Sequence, residues 1–533
     1  MKVNAGRPAV TSDKGMVTSP HVLASQAGAA ALRDGGSAVD AAIAASAVLS
    51  VVYPHMTGIG GDAFWLIWDA AAGRVRYLDG GGRAAARGTL AAFETLGLSE
   101  VPYRGPLPAT LTVPGAVASW AFAHDAYGRL PLGRCLAEAI GHARDGFAVG
   151  ERLAHWRGLA APELAKSPEA AAIFLHDGPV LANPDLARTL ESIAGDGWQG
   201  FYRGEVAREL VRWSEANGGF FAADDLAAQV ARWGEPLQGT YRGVTIYETP
   251  PPTQGFAVLE MLNLLEPFEL HAKPLLGPDR VHLMVQAKQL AYHDRDRYLA
   301  DPRFADVPVG RLISKAHAEA RRPLIDPARA LPWDKIPSEG SLAGDTVFIA
   351  AVDSAGNAAS LIHSLYGGFG AAVVAGRTGV VLQNRSAYFS LDPRSPNRLE
   401  PGKTPLHTLI ASLAFREGKL AAALGCMGAD GQPQIHLQAY SAMIDHGLDI
   451  QQALDLPRFL SGRFAIGEPR DTLHIEGRFP AETIAELERR GHLVDRWEDW
   501  NELAGHAHGI TVAADGRLAG GADPRSDGEA VTP

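Results

Sequence analysis

Cysteine is scarce: Cys135 and Cys426 are the two in 533 residues, too few and too widely spaced for a disulfide framework or a cysteine-rich zinc site. Both are expected to be buried structural thiols. Positive charge is short as well, since 49 lysines and arginines against 60 acids leave a formal net charge of −11. Phosphate binding needs a basic face, and here the arginines are scattered among acids, so neither DNA nor RNA is expected as a partner. No apolar run reaches the ~20 residues of a bilayer-spanning helix; the longest, around residues 41–53, is alanine-rich and shorter, so membrane insertion is not expected. Residues 1–20 hold neither a continuous apolar core nor a cleavage-site pattern, which makes a cytoplasmic location the expectation. Long polar low-complexity tracts are also missing. What is present, 46% hydrophobic and 20% charged residues, is the composition of an ordinary folded enzyme.

A chain of this length exceeds the size at which one core usually stops growing, so two lobes or one unusually large layered domain are expected. A helix is predicted from Ser19 to the Gly35-Gly36 pair, and a second over residues 37–51. Alanine and valine on every side of the second helix predict burial within a layered fold. The glycine-rich segment 57–62 reads as a tight loop and 63–68 as a strand. Residues 114–336 are dominated by helical periodicity, at 210–217, 259–265 and 280–298, interrupted by Pro250-Pro251-Pro252. Around 332–344 proline, serine, glycine and acids replace that periodicity and suggest an exposed linker. Beyond it, strands are predicted at 346–352, 358–365, 379–383, 408–415 and 420–424, then helices at 434–446 and 481–490. Strands followed by helices suit sheets covered by helices.

Taken alone, Thr346 is an ordinary β-branched residue opening a strand. Its context is more specific. Gly344-Asp345-Thr346-Val347-Phe348-Ile349-Ala350-Ala351-Val352-Asp353, then Gly356-Asn357 and Gly367-Gly368-Phe369-Gly370, resembles the start of the small subunit of the gamma-glutamyltransferase family. The resemblance runs in order along almost the whole chain: Gly36 to Ala42, Gly58-Ile59-Gly60-Gly61-Asp62, Thr112-Val113-Pro114-Gly115, Ala143 to Phe147, Pro250 to Thr253 with Gly255, Asp294-Arg295, Tyr298 to Pro302, and Gly521 to Ser526. It implies an α+β fold, the four-layer αββα sandwich of N-terminal-nucleophile hydrolases. It also implies a precursor that cuts itself between Asp345 and Thr346, giving a large subunit (1–345) and a small catalytic subunit (346–533) that stay together and form an acyl-threonine. A homodimer of that processed pair is compatible with it. The chemistry agrees: a threonine hydroxyl is a weak nucleophile until a base takes its proton, and a free α-amine with a pKa of about 7.7–8.0 suits neutral pH. Only a cut before Thr346 supplies that amine.

Carried over by position, Ser364 falls where the family has a hydroxyl close to the nucleophile, and Gly428 with Ala429 falls at its oxyanion turn. A solvent-facing strand serine and a plain strand-to-helix connection are the alternative readings. Asp430-Gly431 favours a tight turn either way, and Asp430 is counted with the substrate-binding residues. Where the family holds a γ-glutamyl head group with an arginine, an asparagine, an aspartate and two serines, this chain has Gly81, Tyr366, Tyr388, His407 and Thr408. Losing charge-assisted bonds of that kind removes ~1.5–3 kcal/mol each, enough to change the preferred substrate. Arg83 and Arg385 lie nearby in sequence and are candidates to pair with a substrate carboxylate; a structural ion pair is the other reading for both. Tyr366 and Tyr388 also read as core aromatics. These replacements resemble the branch of the family with cephalosporin acylases, oxamate amidohydrolases and glutathione-hydrolase-like proenzymes.

The expectation is therefore a cofactor-free amidohydrolase acting on a small amide, oxamate-like or another short acyl amide. A true gamma-glutamyltransferase is the alternative within the family, and an unprocessed binding or scaffold homologue the alternative outside it. The glycine-rich segments do not complete a dinucleotide-binding fingerprint. His506-Ala507-His508, and His282 with His293, lack the carboxylate and spacing of a zinc site, so no metal is expected.

Overall fold

The computed structural model describes residue 3 and residues 5–337, 344–463 and 469–533. The alanine-rich stretch forms the helix Ala38–Val52, started by a capping box between Ser37 and Asp40, and all of its residues are buried. Small side chains on every side let it lie between other elements, against the helices Val22–Arg33 and Leu132–Asp145 and the strand Asp345–Val352.

Two seven-stranded sheets form the centre. One runs in the order Glu529–Val531, Met16–Ser19, Asp345–Val352, Ala358–Tyr366, Asp62–Asp69, Arg74–Gly80, Arg232–Gly234. The other runs Val10–Ser12, Leu518–Ala522, Ala507–Val512, Lys419–Cys426, Ser412–Arg416, Val244–Glu248, Leu237–Tyr241. Neighbouring strands are antiparallel throughout both. The two-residue period of a strand distributes its side chains between layers. Phe348, Ala350 and Val352 join Phe64, Leu66, Ile362 and Leu413 between the sheets, whereas Val347, Ile349 and Ala351 join Ile43, Val48 and Leu361 under the first helical layer. The second helical layer, with Phe256–Leu265, Pro278–Tyr298 and Gln432–Ile444, covers the outer face of the other sheet. The result is the expected αββα sandwich. Gly425 marks how closely the sheets approach, because a Cβ there would stand 2.2 Å from the Phe348 ring.

Several element boundaries differ from expectation. The first helix begins at Val22 with His21 as its cap, and Met16–Ser19 is instead a strand pairing with Ala350–Val352, a long-range pairing that local pattern does not reveal. Residues 379–383 form only isolated bridges, Gly60 with Leu382 and Val374 with Val381. Residues 408–411 precede the strand rather than belong to it: the Ile410 N–H donates to Gln432 Oε1 at 3.0 Å instead of to a ladder. Of the linker, residues 338–343 lie outside the described residues. Just before them, Gln289 donates to Ile336 O at 2.9 Å. Cys135 and Cys426 are both buried and free, and burial pushes the Cys135 thiol up to about 12. Among the described residues, no helix is long and apolar enough to cross a membrane.

Candidate active site around Thr346

Thr346 is the second residue of a fully buried central strand that runs unbroken through Asp345. Its partner strand carries Ser364, and a register shift between Asp345 and Val347 leaves the Thr346 hydroxyl facing Ser364 instead of a regular cross-strand neighbour. Thr346 Oγ1 donates to Ser364 Oγ at 3.0 Å, and Ser364 Oγ donates to the carbonyl oxygen of Asp345 at 2.5 Å. The Tyr366 N–H at 2.8 Å and Arg385 Nη2 at 3.2 Å also point at Ser364 Oγ. The serine is thus buried and turned inward, which excludes the solvent-facing alternative. Closing that bond puts Tyr366 at φ +81, a conformation costly for a side chain with a Cβ.

Arg385 is fully buried yet has no carboxylate in direct contact among the described residues. Its Nη1 donates to Thr408 Oγ1 at 3.1 Å, and its guanidinium lies 4.8 Å from the Tyr366 ring centroid and 5.6 Å from that of Tyr388. These two rings are themselves 4.4 Å apart. Burial lowers the Arg385 pKa, with the tyrosines and Asp62 opposing. Hydroxyls and ring faces therefore hold this cation where an acid is usual.

His407 is buried edge-on to Phe64, with Nε2 3.5 Å from Asp62 Oδ2. Burial, then the Arg385 charge, lower its pKa far below the ordinary value, so the imidazole is neutral. Asp62 accepts from the N–H groups of Gly82 at 2.8 Å and Gly115 at 3.0 Å and from Gln383 at 3.1 Å, all on Oδ1. Desolvation outweighs these bonds and raises its carboxyl to about 7.

On the other side, Gly428 and Ala429 both have positive φ, +138 and +45, a turn that opens the helix Gln432–Ile444. Gly344 passes between Ala429 and the Tyr366 ring: a Cβ on it would be 3.0 Å from each. Gln254 ties this turn to the Thr408 segment, donating from Nε2 to Ala429 O at 3.0 Å and to Thr408 O at 2.8 Å. Arg295 in turn holds Gln254 Oε1 at 2.8 Å and pairs with the Asp430 carboxylate. Asp430 is accordingly engaged by an arginine of the chain itself. Arg83 turns away from this group, toward Ala228 O and Gln229 Oε1, and shares the Asp79 neighbourhood with Arg232 and Arg303.

The structure thus gathers Thr346, Ser364, Tyr366, Arg385, Tyr388, His407, Thr408, Ala429 and Asp430, and leaves Arg83 aside. Asp62 and Arg295 belong to segments that carry the resemblance but have no role assigned there, and Gln254 carries no sequence signal of its own. Only their three-dimensional placement joins them to Thr346, because each acts through a contact of long sequence separation. His282 pairs with His492 at 2.7 Å.

The gamma-glutamyltranspeptidase family model matches residues 24–532. The glutathione hydrolase-like YwrD proenzyme of Bacillus subtilis is 41% identical, with 98% of this chain and 99% of that protein aligned. The oxamate amidohydrolase proenzyme of Klebsiella pneumoniae is 40% identical over 98% of each. The crystal structure of cephalosporin acylase from Bacillus halodurans superposes with a TM-score of 0.91 at 35% identity, covering 99% of this chain and 98% of that one. With a matching model over nearly its full length, relatives named as hydrolases and acylases, and a shared sandwich, the chain is an enzyme that belongs to the gamma-glutamyltranspeptidase family.

Proposed function

We propose that the chain is a self-processing threonine amidohydrolase that cuts itself before Thr346 and then hydrolyses a small amide whose acyl group is not a standard γ-glutamyl. The hydroxyl relay from Thr346 through Ser364 to the Asp345 carbonyl carries this reading. In the first stage the Thr346 oxygen adds to the Asp345 carbonyl carbon while Ser364 donates to the carbonyl oxygen, where negative charge develops. The C–N bond breaks, the Thr346 nitrogen leaves with the hydroxyl proton as a free amine, and water hydrolyses the ester to give a C-terminal Asp345. In the second stage that amine takes the hydroxyl proton, and Thr346 Oγ attacks the substrate amide. The amine product departs protonated, and water releases the acid. In this scheme the N–H groups of the Gly428–Ala429 turn receive the oxyanion, and Arg385, Tyr366, Tyr388, His407, Thr408 and Asp430 surround the acyl group. No cofactor takes part in this scheme.

The two halves, residues 1–345 and 346–533, are held as large and small subunits by strand pairing across the cut. Ala351 pairs with Val17, and His363 with Ala63. Altered specificity rests on Gly81, which has no side chain to supply a cation, and on an Asp430 already paired with Arg295. The relatives named as oxamate amidohydrolase and as acylases support short or non-zwitterionic acyl groups. On a denaturing gel the 56.4 kDa chain should give fragments of about 36 and about 20 kDa, the smaller starting at Thr346, and Thr346→Ala should stay intact and inactive. A Thr346→Ala chain that still splits at this bond would rule the reading out. In a comparison of kcat/KM on γ-glutamyl-p-nitroanilide, oxamate and a glutaryl amide, dominance of the γ-glutamyl substrate would overturn the specificity assignment.

A further inference from the structure

Gln254 stands just ahead of the helix Phe256–Leu265 and is fully buried. Its side-chain amide is held at both ends. Arg295 Nη1 donates to Oε1 at 2.8 Å, which fixes that end as the oxygen because a guanidinium can only donate. The Nε2 end therefore carries the N–H groups, and it sends one to each of two carbonyls, Ala429 O at 3.0 Å and Thr408 O at 2.8 Å. Arg295 is itself set by the carboxylates of Asp296 and Asp430 and lies 4.0 Å from the Tyr292 ring centroid, while the Tyr292 hydroxyl donates to Asp430 O. The backbone beside Gln254 is pinned to the same segment as its amide, since the His407 N–H donates to Pro252 O at 2.7 Å and Thr253 bridges to His407. These contacts fall where the turn is strained. Gly428 adopts φ +138 without a Cβ to oppose it, but Ala429 at φ +45 has one. Gly428 O accepts from the Gly431 N–H at 2.6 Å and Ala429 O accepts from Gln254, so the peptides on both sides of Ala429 are held. In a trans peptide the C=O and N–H point opposite ways, so fixing the carbonyl fixes the direction of the N–H.

We propose that Gln254 is a positioning residue for amide turnover: braced by Arg295, its amide holds the Gly428–Ala429 turn against the Thr408 segment in the conformation that presents the oxyanion N–H groups. The proposal rests on the reading that Thr346 attacks the substrate and that this turn receives the oxyanion. Released from Gln254, Ala429 can return to negative φ by swinging a flanking peptide, and the N–H groups lose their common direction. The clamp separates the two stages of the enzyme. In the uncut chain the Asp345 carbonyl oxygen already accepts from Ser364 Oγ at 2.5 Å, so self-cutting has an oxyanion donor of its own, outside the contacts of Gln254. Gln254 belongs to residues 1–345 and the turn to residues 346–533, so after the cut one subunit holds the catalytic turn of the other.

The test compares the wild type with Gln254→Met and Gln254→Glu. Methionine keeps the length of the side chain without its polar end, and glutamate keeps an acceptor for Arg295 while removing both donors. Fragment appearance on a gel gives the rate of self-cutting. On the cut protein, kcat and KM are measured with whichever of oxamate, glutaryl-p-nitroanilide and γ-glutamyl-p-nitroanilide the wild type turns over fastest. Each variant should lower kcat by about tenfold to a hundredfold, with KM and the rate of self-cutting both within about threefold of wild type, because the oxyanion forms only in the transition state. A side chain that merely supported the fold would instead lower Tm and slow cutting and turnover together. Wild-type kcat in either variant, or cutting slowed as much as turnover, overturns the clamp and leaves the amidohydrolase reading standing. Failure of both variants to fold does the same, since the amide would then serve the fold rather than the turn. A wild-type cut chain that hydrolyses none of the three substrates removes the reading beneath the proposal as well.

Discussion

The Thr346 hydroxyl donates to Ser364, and that serine donates to the Asp345 carbonyl oxygen, so one hydroxyl can serve both the nucleophile and the developing oxyanion. Ser364→Ala should therefore slow self-cutting by roughly 10²–10³, the usual effect of losing an oxyanion donor. The time course of fragment appearance on a gel measures this, and cutting at the wild-type rate would show that the relay is not used. The same serine is 3.2 Å from the buried Arg385 guanidinium. A cation this close disfavours a charged amine on Thr346, so the amine pKa should lie at or below its ordinary ~7.7–8.0. The acid limb of the kcat/KM profile should then rise with pH as the amine loses its proton, with a midpoint at or below about 7.7 that moves upward in Arg385→Met. A profile flat from pH 5 to 8 would remove the amine as the base.

At the scale of elements, the site hangs on loops whose backbones approach each other without side chains between them. Gly61 precedes the Asp62 strand, and a Cβ on it would stand 2.2 Å from the carbonyl oxygen of Ser364. Backbone cannot yield as a flexible side chain does. Gly61→Ala should cost about 1–3 kcal/mol of stability and displace Ser364, seen as a lower Tm together with slower self-cutting. A variant that melts lower but cuts normally would show that this loop does not position the serine. The segment 57–62 was legible in the sequence as a tight loop, because glycine clusters punctuate any fold. That it presses on Ser364 was not, since 303 residues separate Gly61 from Ser364 and no local pattern records the approach. The predicted strand over 379–383 failed for the same reason: its apolar residues pack around the Gly367–Gly370 loop rather than into a ladder, and Leu382 O receives the Ala371 N–H at 2.8 Å.

Over the whole molecule, the 0%-exposed Asp62 and His407 face each other between the first sheet and the segment before the strand Ser412–Arg416, with no hydrogen bond between them. Asp62 holds its proton to about pH 7 in the folded chain, against ~3.9 when unfolded. Its contribution to stability is therefore complete below ~3.9 and is lost as pH rises through about 7. Asp62→Asn cannot ionise. The Tm difference between variant and wild type should shift in favour of the variant as pH rises from 5 to 8, and parallel Tm curves over that range would show that Asp62 is ionised throughout. Strands from both sides of Thr346 are interleaved in the first sheet, so cutting the Asp345–Thr346 bond leaves the hydrophobic layers on either face intact.

Local pattern was enough for the buried alanine helix, for the strands at 346–352 and 358–365, and for the helical middle, because hydrophobic period and chain breakers act over a few residues. The ordered resemblance along the chain pointed to Thr346, Ser364 and the Gly428–Ala429 turn, and to Gly81 where the family has an arginine. The tertiary structure decided what those residues meet. It turned Ser364 inward, drew Asp62, Gln254 and Arg295 into the site, committed Asp430 to Arg295, sent Arg83 elsewhere, and set the Asp345 side chain beside Gly368. Charge compensation and backbone approach are decided between elements far apart in the chain, where packing in the folded layers, rather than sequence spacing, sets which groups come within bonding distance.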